Sequence, residues 1–238
     1  MSRTKLLLSL VMAMLLVAAF GLSALGLDVE LKGGGGLAMG TTDDSNKSGA
    51  VRYALDAGLA LDLFLLQPGS MAFGITAGAS YANLHFHGVW ENYPDPIPPP
   101  GTSFTTQTSD STYNYLLFPF GLAGKFGFGK RSLTVRAGGF VGYFLSGTSD
   151  LTYPTEVLPW WENGPTTLDD SNTELWMYGL SFYAGLDLFS WGKLSVVPSI
   201  QFDLGLSDTT VDLAYPPASK DTSWSLTANV GIRYSILK

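Results

Sequence analysis

Apolar and polar residues alternate with period two in one segment after another along the chain that follows its first 26 residues. From Val51 to Leu65 every odd-numbered position is apolar, whereas Arg52, Asp56 and Asp62 occupy even-numbered positions. Because successive side chains of a β-strand point to opposite faces, this segment predicts a strand with one apolar and one charged face. Helical spacing of apolar residues is not found in this region. The pattern therefore predicts an all-β protein.

Eight segments alternate in this way: residues 27–39, 51–65, 71–81, 116–126, 133–145, 176–188, 196–206 and 224–236. Every charge within them has the parity of the polar face. A charge facing lipid near the middle of a bilayer costs about 2–4 kcal/mol, which fixes the strand register. Charged residues make up only 14% of the chain, too few to cover a soluble surface. We predict an eight-stranded antiparallel up-and-down transmembrane β-barrel with its charges inside.

These interior charges are nearly balanced between acids and bases. An unpaired charge in a low-dielectric interior is costly, so we expect a structural network of ion pairs. A proton or ion path is the alternative interpretation. The predicted network comprises Asp28, Glu30, Lys32, Arg52, Asp56, Asp62, Lys125, Arg136, Asp187, Asp203 and Arg233.

The N-terminus has the layout of a secretory signal peptide. Arg3 and Lys5 precede an apolar run that ends at Phe20, and small residues follow up to Gly26. We predict a cleaved signal over residues 1–26 and a barrel domain over residues 27–238. A retained membrane anchor is the weaker alternative, because a spanning helix needs about 20 apolar residues. The chain has no Cys, which excludes lipoprotein attachment and disulfides.

Short and long connections alternate between the predicted strands. Residues 67–70, 127–131 and 190–193 form short links, and residues 41–50, 87–111, 147–172 and 207–222 form long ones. Outer-membrane barrels have short periplasmic turns and long extracellular loops, so we predict a location in the cell outer membrane in contact with its lipid. The formal net charge of −7 argues against a nucleic-acid partner.

Two stretches resemble the PorT-like outer-membrane β-barrel family. Residues 112–147, TYNYLLFPFGLAGKFGFGKRSLTVRAGGFVGYFLSG, show the family's apolar strand with an internal proline, Pro119, then a turn and a glycine-rich strand. Residues 180–208, LSFYAGLDLFSWGKLSVVPSIQFDLGLSD, resemble a later hairpin of that family. The resemblance implies an eight-stranded integral outer-membrane barrel, and some members of the family are tied to protein secretion.

Few residues in the sequence suggest a catalytic or metal-binding role. His85 and His87 share one strand face near the outer end, where they could begin a metal site or serve a lipid-modifying enzyme. The spacing of Ser, His and acidic residues fits no catalytic pattern, so we expect no catalytic residues, metal or cofactor. Gly33–Gly36 is not a phosphate-binding loop, because no helix follows it.

Two loops could reach an extracellular partner. The loop of residues 93–101 is rich in proline and should be stiff. The loop around Trp160 and Trp161 presents aromatic side chains, which frequently anchor binding. Packing of these tryptophans against neighbouring loops or lipid is an equal alternative.

We therefore expect a non-enzymatic integral outer-membrane protein with a structural or surface-interaction role. Two alternatives stay open. One is a lipid-modifying outer-membrane enzyme that uses His85 or His87 at the outer rim. The other is a soluble, lipocalin-like barrel that binds an apolar ligand, in which Leu59 and Leu61 would face inward.

Overall fold

A computed structural model describes residues 26–42, 47–93, 105–152, 164–168, 174–207 and 221–237. The predicted signal peptide, most of the proline-rich loop, and Trp160 and Trp161 lie outside these residues. The described residues form eleven strands. They are β1 (Gly26–Thr42), β2 (Lys47–Ala50), β3 (Arg52–Leu66), β4 (Met71–Tyr93), β5 (Thr105–Phe128), β6 (Arg131–Thr152), β7 (Gly164–Leu168), β8 (Trp176–Leu186), β9 (Phe189–Trp191), β10 (Leu194–Gly205) and β11 (Asp221–Leu237).

Eight long strands close into a ring, which confirms the predicted barrel. Each pairs antiparallel with the next long strand along the chain, in the order β1, β3, β4, β5, β6, β8, β10, β11. The ring closes because β11 pairs with β1 as well as with β10. Three short strands are not among these eight. β2 pairs with β4, β7 pairs with β6, and β9 pairs with β10.

The two faces of the wall follow the alternation of the sequence. On β3 the even-numbered residues Asp56 and Asp62 are buried, whereas Leu55 and Leu59 are exposed on the outside. Outward side chains on other strands are also exposed; Leu122 on β5, for example, is 70% exposed. A soluble lipocalin-like barrel would have the opposite arrangement, with its apolar side chains inside.

The outward apolar side chains form a belt of membrane height. On β4 the belt runs from Met71 to Tyr81, which at about 3.3 Å per residue and a tilt of about 40° spans roughly 25 Å. Tyr81, Trp176 and Tyr178 are exposed at the border of the belt nearer the long loops, which we call its upper border. Aromatic side chains of this kind occur at both borders of outer-membrane barrels.

The short turns all lie at one end of the barrel, which we call the turn end; the opposite end is the loop end. Gly69, Gly129 and Gly192 have φ values of 64°, 66° and 62° at these turns. Only glycine adopts this backbone conformation without steric cost, so these residues allow the strands to reverse direction tightly. Both described chain termini also lie at the turn end.

Three strands continue well past the belt at the loop end. β4 extends to Tyr93, twelve residues beyond Tyr81, and pairs there with β5 as far as Thr105. The sequence predicted a long loop from residue 87 to residue 111, because the apolar alternation of this strand is lost beyond residue 81. β5 and β6 remain paired up to Thr108 and Thr152. We call this extension of β4, β5 and β6 the projecting sheet.

Candidate functional site

The interior has two layers, and the layer at the turn end is ionic. Glu30 lies at its centre and is completely buried. Its Oε2 atom accepts hydrogen bonds from Arg136 Nη2 at 2.6 Å and from Arg233 Nη2 at 2.7 Å. The Tyr183 hydroxyl donates to the other oxygen, Oε1. One carboxylate thus joins the guanidinium group of the neighbouring strand β11 to that of β6, which lies across the ring.

Each arginine also holds a second acid. Arg136 binds Asp62 in a bidentate manner, with both N–O distances at 2.8 Å. Arg233 Nη1 donates to Asp187 Oδ1 at 2.8 Å and to the Thr134 hydroxyl at 2.7 Å. Because all these groups are buried, the paired arrangement offsets the cost of removing the charges from water.

Two further groups complete the layer. Lys125, which is partly buried, donates to Asp28 at 2.6 Å. Lys32 binds Asp56 and the side-chain oxygen of Gln201. The Gln201 amide donates to Asp203 at 2.7 Å. The structure therefore brings ten of the eleven predicted network residues into the interior, as three contacting groups.

Arg52 is the exception. Its Nε atom lies 3.6 Å from Asp110 Oδ1 near the loop end, and its side chain is 38% exposed. The reason is a change of register against β4, from Ala50 opposite His87 to Ala54 opposite Leu84. This change inserts one extra residue beside Arg52 and interrupts the alternation. Arg52 thus belongs to the rim, and the interior holds six acids and four bases.

The second interior layer is apolar and was missed by the sequence analysis. It fills the loop-end half of the interior with side chains from six strands. We call it the apolar plug; its buried members are Ala38, Ala54, Ala82, Leu84, Tyr113, Tyr115, Leu117, Phe140, Phe144 and Met177. The signal was present on β5, where apolar residues occupy both parities around Leu117.

A small cavity lies beside the ionic layer. It has a volume of about 30 Å³ and is lined by Lys32, Arg136 and Gln201 on one side and by Pro119 on the other. This is room for one or two water molecules. Ser80 also lines the cavity; its buried hydroxyl has no hydrogen-bond partner among the described residues. A water at this position would satisfy it.

A polar cluster lies on the outer surface directly above the belt. We call it the outer polar cluster; it comprises Tyr53, Asn83, His85, His87, Asp110 and Asn114. The His85 ring stacks on Tyr53 with centroids 4.8 Å apart. His87 Nδ1 lies 2.8 Å from Asp110 Oδ1. The predicted histidine pair therefore faces outward, roughly 10–15 Å above the upper border of the belt.

Asp110 has a perturbed acidity because of its neighbours. Partial desolvation raises its pKa, but the hydrogen bond with His87 and the electrostatic interactions with His87, Arg52 and His85 lower the pKa below its ordinary value. Within the described ranges, no three His, Cys, Asp or Glu side chains are grouped closely enough to hold a metal ion. Nor does any helix in those ranges have the length and apolar character to cross a membrane.

A closed ring with an apolar exterior and an ionic interior defines an integral outer-membrane β-barrel protein. The comparison with protein families agrees. Residues 21–211 match the family described as "Outer membrane protein beta-barrel domain", and the chain belongs to this family. The protein is therefore located in the cell outer membrane. No curated protein gives a significant sequence match.

Several solved structures are similar at low identity. Neisserial surface protein A aligns at 8% identity and a TM-score of 0.38, covering 90% of this chain and 98% of that one. The outer-membrane protease OmpT of Escherichia coli aligns at 10% identity and a TM-score of 0.41, covering 89% and 96%. OprG of Pseudomonas aeruginosa aligns at 8% and 0.40, covering 90% and 97%.

Proposed function

We propose that this protein has a structural and surface-interaction role in the outer membrane and does not conduct solutes or catalyse a reaction. The observation that carries this proposal is the filled interior of the described barrel. Ion pairs occupy the turn-end half and the apolar plug occupies the loop-end half, and the cavity beside the ionic layer has a volume of only about 30 Å³. An eight-stranded barrel has little more room than its own side chains need.

The projecting sheet supports a role at the cell surface. β4 continues twelve residues past the belt, which corresponds to a height of roughly 30 Å. A paired sheet of this length holds the loops at its tip away from the lipid. A partner would meet the tip of this sheet first, and we expect Trp160 and Trp161, which follow β6 in the sequence, to take part in the contact. We also infer membership of the PorT-like group, on the strength of the in-strand Pro119 and the hairpin pattern.

Two measurements test the proposal. Protein inserted into planar bilayers should give no single-channel steps, and proteoliposomes should not swell in sugar solutions. Replacing residues 86–109 by a short turn should leave a folded, heat-modifiable barrel, because the membrane belt is complete without them. Stable conductance would refute the closed interior. Loss of barrel assembly would show that the projecting sheet is part of the scaffold rather than a surface module.

A lipid-modifying enzyme remains the second candidate, favoured by one contact. An acid that binds Nδ1 of a histidine orients the ring and supports it as a general base, and Asp110 is so placed beside His87. His87→Ala should leave lipid A acylation of the host membrane unchanged if the protein is not an enzyme. A change in acylation would favour the enzyme.

A further inference from the structure

The position of the outer polar cluster limits what can touch it. On β4 the outward residues after Tyr81 are Asn83, His85 and His87. With the geometry used for the belt, they lie roughly 5, 10 and 15 Å above its upper border. The headgroup layer of a phospholipid leaflet is only about 5–8 Å thick. A membrane component that covers the whole cluster therefore needs a much taller headgroup.

The lower part of the cluster offers amide and hydroxyl groups beside aromatic rings. Asn83 Nδ2 donates to Asn114 Oδ1 at 2.7 Å, and Asn114 Nδ2 donates to the Ser146 hydroxyl at 3.1 Å. Tyr53 and Tyr81 are 50% and 43% exposed. A sugar ring has an apolar C–H face that packs on an aromatic ring and a rim of hydroxyls that bind amides. The two features occur together here.

The charge of the upper part argues against a phosphate group as the main ligand. The Arg52 guanidinium faces Asp110, and the same carboxylate contacts His87. The Asp110 carboxylate thus balances the positive charge of Arg52. A phosphate would have to compete with Asp110 for Arg52. Neutral hydroxyl groups could bind both partners without displacing either.

We propose that the outer polar cluster binds the oligosaccharide headgroup of a glycolipid in the outer leaflet. The acyl chains lie against the belt below Tyr81, and several sugar units extend upward along β4 and β5. The stacked pair of Tyr53 and His85, with ring planes 19° apart, provides a rigid surface for one sugar face. Asn83 and Asn114 bind hydroxyls of the unit nearest the membrane. This proposal depends on the outer-membrane location and not on the closed interior.

Binding of three lipids to the purified full-length protein in vesicles of phosphatidylcholine tests the proposal. The probes are rough lipopolysaccharide with its core oligosaccharide, lipid A without the core, and phosphatidylglycerol. Native mass spectrometry gives the apparent affinity for each. The variants are Asn83→Ala combined with Asn114→Ala, and Tyr53→Ala. Leu206→Ala, at an exposed apolar residue that directly follows β10, is the matched control.

We expect the double amide variant to bind the core-bearing glycolipid about tenfold more weakly, since two hydrogen-bonding groups are lost. Lipid A and phosphatidylglycerol should bind equally to all variants. Unchanged binding of the core-bearing glycolipid would overturn the proposal, as would equal binding of phosphatidylglycerol. Heat-modifiable mobility checks folding. If an alanine variant fails to fold, Tyr53→Phe should keep the affinity and Tyr53→Leu should lower it, and equal affinities would refute the role of the ring.

Discussion

Removal of the Arg136 side-chain charge gives the most direct test of the ionic layer. Arg136 is 8% exposed and makes three hydrogen bonds to two buried carboxylates, Asp62 and Glu30. Its guanidinium also lies 4.1 Å from the Tyr183 ring centre. Arg136→Met keeps much of the volume but leaves Asp62 buried without this partner. Breaking a buried ion pair in this way costs about 3–5 kcal/mol.

The free energy of unfolding can be measured by denaturant titration in lipid vesicles, with tryptophan fluorescence as the signal. Arg136→Met should lower it by about 3–5 kcal/mol, whereas Arg131→Met, at an exposed position of the same strand, should change it by less than about 0.5 kcal/mol. Combining Arg136→Met with Asp62→Leu should recover part of the loss, because the unpaired acid is then gone. Equal stability of Arg136→Met and the wild type would refute the paired network.

Three more predictions concern the wall and the rim. A Cβ atom on Gly36 would lie 1.9 Å from a backbone oxygen of β11, so Gly36→Ala should block barrel assembly in a refolding assay, while Gly33→Ala, with 3.8 Å of clearance, should assemble. Val230→Lys, at a site 63% exposed within the belt, should lower the free energy of unfolding by about 2–4 kcal/mol. Leu206→Lys, level with Tyr178 at the upper border of the belt, should lower it by less than about 1 kcal/mol. The lowered pKa of Asp110 means that the carboxylate stabilises the folded protein above its unfolded pKa, near 3.8, and that this contribution disappears as pH falls through the lower folded value. Asp110→Asn should remove this part of the acid dependence in thermal unfolding, and an unchanged profile would contradict the assignment.

The alternation of the sequence was sufficient to predict the ring because lipid exposure penalises a register slip. Asp56 and Asp62 on β3 show this, since moving either to the outer face would place a charge in hydrocarbon. The same reasoning placed Glu30, Arg136 and Arg233 inside. It could not identify which acid each base binds, because these partners come from strands far apart along the chain.

Two features were beyond the reach of local alternation. The displacement of Arg52 to the rim depends on an extra residue opposite β4, which only the pairing of two strands reveals. The apolar plug was missed because Tyr113, Tyr115 and Leu117 share β5 with outward Leu116, so both faces are apolar there. From the sequence alone, an apolar strand face is compatible both with contact with lipid and with packing inside the barrel.

The closure of the ring through β1 and β11 has a consequence for how the protein reaches its final state. These strands are the first and the last of the described chain, and they pair along almost their whole length. Until the last strand arrives, the edges of β1 and β10 would expose unpaired amide and carbonyl groups, each of which costs several kcal/mol in hydrocarbon. A partly formed barrel is therefore unstable in the bilayer, and we expect insertion to be all-or-none.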